Sequence, residues 1–201
     1  MPSRPRANAE TAVRGGRRTL LGWLAALSLV IGSATIAHSI ADPVFPGRYM
    51  DDQSVDFCYH SSVDGTANNN NLLRSGLSYA IASITGVTDL NNLGVEVCDA
   101  NTDIRAERVT LSGDKLAEWV CLSPSSGECN RGVIKYDTGR AFTLAKWQAI
   151  GCHETMHAVG FKHYPAGETN LTRLASQKSC LLTPDIVTVS TAERSDINGH
   201  Y

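Results

Sequence analysis

The chain contains no Cys-x-x-Cys pair, so neither a cysteine zinc site nor a thioredoxin-like redox motif has support. Aromatic residues are scarce at 6%, and no basic stripe interleaves with them, which removes the usual footprint for nucleic acid. Internal repeats are absent, and 201 residues are enough for one good core but not for two. Methionine is confined to Met1, Met50 and Met156. Histidine occurs six times only, and three of those six lie between positions 153 and 163. A rare residue that clusters is the first pointer to chemistry.

Charge is unevenly spread. Residues 1–41 carry Arg4, Arg6, Arg14, Arg17 and Arg18 against Glu10 alone, whereas the rest of the chain is acidic. Arg17-Arg18 leads into an apolar stretch, Leu20 to Ile31, and small residues then run to Ala37-His38-Ser39. This is the layout of a secretory signal peptide, with cleavage after Ser39 or Ala41. An uncleaved anchor is the alternative, because Thr19 to Ala37 is just long enough to span a bilayer. The paired arginines also resemble, loosely, a twin-arginine export signal. The expected organisation is therefore residues 1–41 as leader and 42–201 as one exported domain, a monomer that meets a membrane only if the leader stays attached.

All six cysteines (Cys58, Cys98, Cys121, Cys129, Cys152 and Cys180) lie beyond the leader, and an even number in an exported chain points to three disulfides. Cys121 and Cys129 flank a turn-rich Ser-Pro-Ser-Ser-Gly loop and are placed to close it. Asp42 to Gly47 reads as an extended lead-in. Alternation predicts strands at Ser54–Tyr59, Gly94–Cys98, Arg108–Leu111, Trp119–Leu122 and Val133–Tyr136. Asn68 to Asn71 reads as a loop, with Asn70 or Asn71 capping a helix whose apolar face is Leu72, Leu73, Leu77, Ala80, Ile81 and Ile84. A second helix is expected from an N-cap at Thr143 to a stop at Gly160. The fold class is α/β of the mixed α+β kind: a mixed sheet with two main helices.

On that second helix the chain reads His153-Glu154-Thr155-Met156-His157-Ala158-Val159-Gly160-Phe161-Lys162-His163. Residues four apart leave the same helix face one turn apart, so His153 and His157 can share one ion. Glu154 is displaced about a third of a turn, beside the ion rather than on it. Gly160 tolerates positive φ and lets the chain double back, which brings His163 within reach as a third ligand. Three neutral imidazoles leave a fourth position open for water, the mark of a catalytic rather than a structural zinc site. Glu154 is then the group that takes the proton from the hydrolytic water. A bare His-Glu-x-x-His arises by chance; with Gly160 and His163 added, coincidence becomes remote. His38, His60 and His200 have no partner at ligand spacing and read as ordinary residues.

At this motif the sequence resembles the metzincin metallopeptidases, which share His-Glu-x-x-His-x-x-Gly-x-x-His. The specific match covers residues 150–164, and a looser match in the order of elements covers about 50–201. The resemblance implies a compact domain whose twisted, mostly parallel sheet has one antiparallel edge strand, with a backing helix and a zinc helix beneath an extended cleft. It implies one catalytic zinc ion and a secreted endopeptidase whose protein or peptide substrate binds as an extended strand along that edge. Metzincins place a methionine in a turn under the zinc; none follows His163 here, and Leu181, ahead of a final helix around Ser195–Ile197, stands in the corresponding place. Cys152 and Cys180 look like features of small secreted bacterial matrixin- or snapalysin-like proteins. With the turn so placed, the resemblance implies a Cys152–Cys180 disulfide, leaving Cys121–Cys129 and Cys58–Cys98 as the other pairs. A second reading is a secreted or envelope-associated binding protein that keeps the fold with little catalysis; the intact Glu154 speaks against it. Structural calcium has no support beyond the scattered acids Asp89, Asp99 and Asp103.

Overall fold

Two apolar positions, Val55 and Phe57, alternate with polar ones along β2 (Ser54–Tyr59) and are fully buried, as a half-covered strand requires. The computed structural model describes residues 49–64, 67–161, 179–180, 182 and 185–201. The leader, the lead-in Asp42–Gly47, His163 and Leu181 lie outside the described residues. In chain order the elements are β1 (Tyr49–Met50), β2, α1 (Asn68–Thr85), β3 (Asn91–Glu96), β4 (Ile104–Val109) and β5 (Ala117–Cys121). There follow β6 (Pro124–Ser125), β7 (Glu128–Cys129), β8 (Gly132–Asp137), α2 (Leu144–Ala158) and α3 (Thr191–His200). Among the described residues no helix is long and apolar enough to cross a membrane.

The main sheet has the order β3-β2-β4-β8-β5. The first four strands run parallel, and β5 pairs antiparallel with β8, Trp119 opposite Ile134. This is the mixed α/β arrangement expected from the sequence, with the antiparallel edge strand that the resemblance implies. Strands β3 and β4 begin three and four residues earlier than the alternation suggested. In β4 the early start recruits Ile104 and Ala106, both fully buried, which the expected segment had left out. A second sheet, β1-β7-β6, was not anticipated. Its strands are two residues each, too short for any periodicity to register. Ser126 and Gly127 at positive φ turn β6 into β7, and the Cys121–Cys129 bond closes that hairpin as expected. The Cys58–Cys98 bond ties β2 to the residues just past β3.

The asparagine run is a correction. Asn68 to Asn71 form the first turn of α1 rather than a loop, the N-cap is Ala67, and neither Asn70 nor Asn71 caps the helix. Their side chains are committed to other partners. The Asn69 amide donates to the Arg140 carbonyl and its oxygen accepts from the Trp147 indole at 3.0 Å. Asn70 likewise donates to the Asp64 carbonyl and accepts from Arg108. The apolar face of α1 is otherwise as read, with Leu73, Leu77, Ala80, Ile81 and Ile84 buried.

Helix α1 packs against α2 at backbone distance. A Cβ on Gly76 would stand 2.6 Å from the Trp147 Cβ, and one on Gly151 would stand 3.1 Å from the Leu77 Cα. Two glycines facing the partner helix thus let the pair close up. Trp147 fills the space at one end, edge-on to both Tyr136 and Phe142. The expected N-cap of α2 is observed: the Thr143 hydroxyl accepts from the Lys146 N–H at 3.3 Å.

Near the start of β4 two acids lock together through the backbone. The Asp56 N–H donates to the Asp103 carboxylate at 3.0 Å, and the Asp103 N–H donates to Asp56 at 2.7 Å. Burial pushes the Asp103 carboxyl up to about 7; the Asp56 N–H works against that, and the charges of Asp56, Asp52 and Asp51 add to it. A carboxyl whose pKa rises on folding binds its proton more tightly in the native state. Its contribution is therefore whole below pH 4 and is lost as pH climbs through 7. Asp103→Asn keeps the acceptor for Asp56 but cannot ionise. It should raise stability at pH 8 by about 2 kcal/mol and flatten the fall between pH 4 and 7, read by urea unfolding across pH.

Candidate metal centre

Between Ala149 and Phe161 every residue is buried except His153 and His157. From Ala149 on, helix α2 is thus enclosed except along one narrow line, and the two imidazoles occupy that line. Their rings meet edge to face, with centroids 4.8 Å apart and planes at 85°. This is what four-residue spacing on a helix produces, and it brings the two rings of the motif to one place.

The backbone fixes each ring. His157 Nδ1 lies 2.5 Å from the Phe161 carbonyl, and His153 Nδ1 lies 3.2 Å from the Cys180 carbonyl. A carbonyl only accepts, so each Nδ1 carries a proton, and in the neutral ring the lone pair then falls on Nε2. That tautomer, assigned from the hydrogen bonds, is the one a metal-binding histidine adopts when a carbonyl orients it.

Why Phe161 is in place follows from the helix end. Gly160 has φ +102°, its N–H reaches the His157 carbonyl at 3.1 Å, and the Phe161 N–H reaches the Met156 carbonyl at 2.9 Å. These two bonds make a Schellman motif, which turns the chain back across the last turn of the helix. The turn expected at Gly160 is present, and it also supplies an acceptor that the sequence reading missed. The hint was there: a ligand three residues before a helix-ending glycine has a returning carbonyl within reach.

Cys180 reaches the site by a different route. The Cys152–Cys180 disulfide, expected from the resemblance, is present with Cα atoms 5.1 Å apart. It docks the segment around Cys180 under α2, one residue from His153. Lys146, near the start of α2, steadies the same region by donating to the Leu182 carbonyl and pairing with Asp185 at 3.0 Å.

Glu154 is 5% exposed. Its carboxyl accepts a hydrogen bond from the Trp119 backbone N–H on β5, a contact that no spacing rule reveals because it crosses from helix to edge strand. Burial pushes this carboxyl up to about 8, against the pull of that N–H; the charge of Glu118 adds to the rise and Lys115 opposes it. The phenol of Tyr136 is wholly buried and finds no partner among the described residues. Burial first, then the nearby Glu154 and Tyr59, keep it from ionising.

His163 lies outside the described residues, as does Leu181. The described residues alone contain no group of three or more His, Cys, Asp or Glu able to hold a metal ion. The suggested calcium acids are engaged in part: one Asp99 oxygen accepts from the N–H groups of Asn101 and Thr102, and Asp103 is locked to Asp56.

No profile of a known protein family matches the sequence, and no curated protein matches it. Among solved structures, the chain is similar to a crystal structure of myroilysin, with a TM-score of 0.47 and 14% identity over 77% of this chain and 86% of that one. A second structure of myroilysin gives a TM-score of 0.39 and 15% identity over 58% of this chain and 45% of that one. At such values the functional reading rests on this chain's own residues.

The Schellman turn yields a direct test. A side chain at φ +102° is strained by roughly 1–2 kcal/mol. Gly160→Ala should lower stability by about that much in urea unfolding. It should also shift the ¹⁵N signals of the His157 ring, because the Phe161 carbonyl moves away from Nδ1.

Proposed function

We propose that the protein is a zinc-dependent endopeptidase, exported from the cell, in which His153, His157 and His163 hold the metal and Glu154 is the general base. The observation that carries the reading is the pair His153 and His157. They are the only accessible residues between Ala149 and Phe161, and each turns Nδ1 to a backbone carbonyl, which leaves Nε2 as the ligating atom of the neutral ring. Two neutral imidazoles at one place form the softer nitrogen donor set that suits zinc better than calcium or magnesium. His163, beyond the turn at Gly160, completes the set in this reading.

Zinc bound there supplies Lewis-acid chemistry: it acidifies a water and polarises a carbonyl. The rest is the work of this chain. Glu154, next to His153 in the chain and held by the Trp119 N–H, accepts the proton of the attacking water and hands it to the departing amine. A cation held by the neutral imidazoles would favour its ionised form and oppose the effect of burial. The substrate, a protein or peptide, would lie extended along the outer edge of β5, its backbone pairing with that strand. The Trp119 N–H on β5 acts on Glu154, so the base lies beside the proposed binding edge.

Glu154→Gln leaves all three histidines intact, so the purified variant should retain stoichiometric zinc. Its turnover of an unfolded protein substrate should fall on the order of a hundred- to ten-thousand-fold. Full turnover in the zinc-replete variant would remove Glu154 from the mechanism. His163→Ala should instead lower zinc content and abolish turnover together. Tight stoichiometric zinc and intact turnover in that variant would mean that the third ligand lies elsewhere.

A further inference from the structure

We propose that the Cys152–Cys180 disulfide sets the metal affinity of the site, by holding the Cys180 carbonyl as the acceptor for His153 Nδ1–H. The inference rests on the reading of His153 as a ligand. It makes Cys180 a positioning residue and makes zinc binding conditional on thiol oxidation.

The two imidazoles are oriented by unlike means. For His157 the acceptor belongs to the next turn of chain, four residues on, and forms whenever α2 ends at Gly160. For His153 the acceptor is 27 residues away in sequence and belongs to no helix or strand. Nothing local brings it there. The covalent link from Cys152, the residue immediately before His153, to Cys180 itself brings it there, and the Lys146 contacts to Leu182 and Asp185 steady the segment farther along.

The backbone at Cys180 points the same way. Cys180 is a non-glycine residue at φ +47°, a left-handed conformation that costs on the order of 1–2 kcal/mol and persists only where surroundings enforce it. The Cys180 N–H donates to the Thr188 carbonyl at 3.1 Å, and the neighbouring Ser179 hydroxyl accepts from the Ser190 N–H at 2.5 Å. These bonds anchor the segment to the start of α3. The disulfide anchors it to α2. Between the two anchors the Cys180 carbonyl is left facing His153. A relaxed backbone at Cys180 would turn that carbonyl away, and the His153 ring would return toward the mixture of tautomers and rotamers of a solvated imidazole.

Cys152 and Cys180 are buried, at 0% and 1% exposure. The link is therefore made during oxidative folding and then kept, rather than cycled. In its reduced form the S–S bond is replaced by two S–H groups; a dithiol reductant supplies the two electrons and two protons and closes its own disulfide. A chain still in a reducing compartment would hold a mispositioned His153 and bind zinc weakly. The peptidase would acquire its metal only after it has met an oxidant.

The test uses the exported protein and the double variant Cys152→Ala/Cys180→Ala, with Cys58→Ala/Cys98→Ala as a control at the opposite edge of the sheet. Two readouts are taken: Zn²⁺ affinity by chelator competition, and the His153 ring tautomer by ¹⁵N NMR in zinc-free protein. Loss of an oriented outer partner typically weakens metal binding 10- to 100-fold. That loss is expected in Cys152→Ala/Cys180→Ala, together with a smaller Nδ1–H fraction at His153 and an unaltered His157. The control should leave both readouts at wild-type values. Should the alanine variant fail to fold, Cys152→Ala/Cys180→Gly gives the same readouts without strain at φ +47°. Wild-type Zn²⁺ affinity, or a wild-type His153 tautomer, in a folded variant without this disulfide overturns the proposal. If the unmodified protein binds no Zn²⁺, the peptidase reading fails instead, and the metal-free tautomer still decides whether the disulfide orients the ring.

Discussion

Everything at the site hangs on where α2 sits, and α2 sits where the backbone of α1 allows. The absence of a side chain at Gly76 brings the two helices to a separation that no other residue there would permit, and Gly151 faces the partner helix almost as closely. Trp147 then fills the remaining gap, with its ring against Tyr136 and Phe142 and its indole N–H on Asn69. A wider separation would lift α2 off the sheet and expose flanks that are now buried. The two imidazoles stand out as accessible because the helix around them, from Ala149 on, is enclosed. Tight packing of this kind tolerates little adjustment, since interiors are packed about as densely as organic crystals.

From that fixed helix the functional groups diverge toward three different parts of the fold. His157 is steadied by its own helix end, His153 by the disulfide-linked segment at Cys180, and Glu154 by the edge strand β5. Each contact involves a main-chain group rather than a side chain. A backbone carbonyl cannot be lost by substitution at its own position, and a backbone N–H is lost only to proline, though either can be moved. The site is therefore sensitive less to what its neighbours are than to where the chain runs. Both turns that deliver a carbonyl to a histidine pass through positive φ, without strain at Gly160 and at a cost at Cys180.

Much of this was legible beforehand because the signals were local. The 3.6-residue period marked the buried face of α1, Thr143 and Gly160 bounded α2, and four-residue spacing put His153 beside His157. The alternation of Trp119–Leu122 and Val133–Tyr136 marked the strands β5 and β8, with ends off by one or two residues, though not their pairing. The failures share a cause as well. Asn68–Asn71 looked like a loop because asparagine disfavours helix interiors, yet Asn69 and Asn70 gain partners from Trp147, Arg140, Arg108 and Asp64 that no local rule sees. The strands of the small sheet are too short to carry a period at all.

What the sequence determined alone is the set of groups and their order along one helix: two histidines a turn apart, a glutamate beside them, and a glycine that ends the run. Covalent spacing and helical geometry suffice for that. The environment of those groups was decided only by the tertiary structure. Burial raises the Glu154 carboxyl, Trp119 holds it, and a carbonyl far along the chain selects the tautomer of His153. The physical reason is range. Helix periodicity and turn chemistry act over a few residues, whereas dielectric surroundings and hydrogen bonds between elements exist only once distant segments have been packed together.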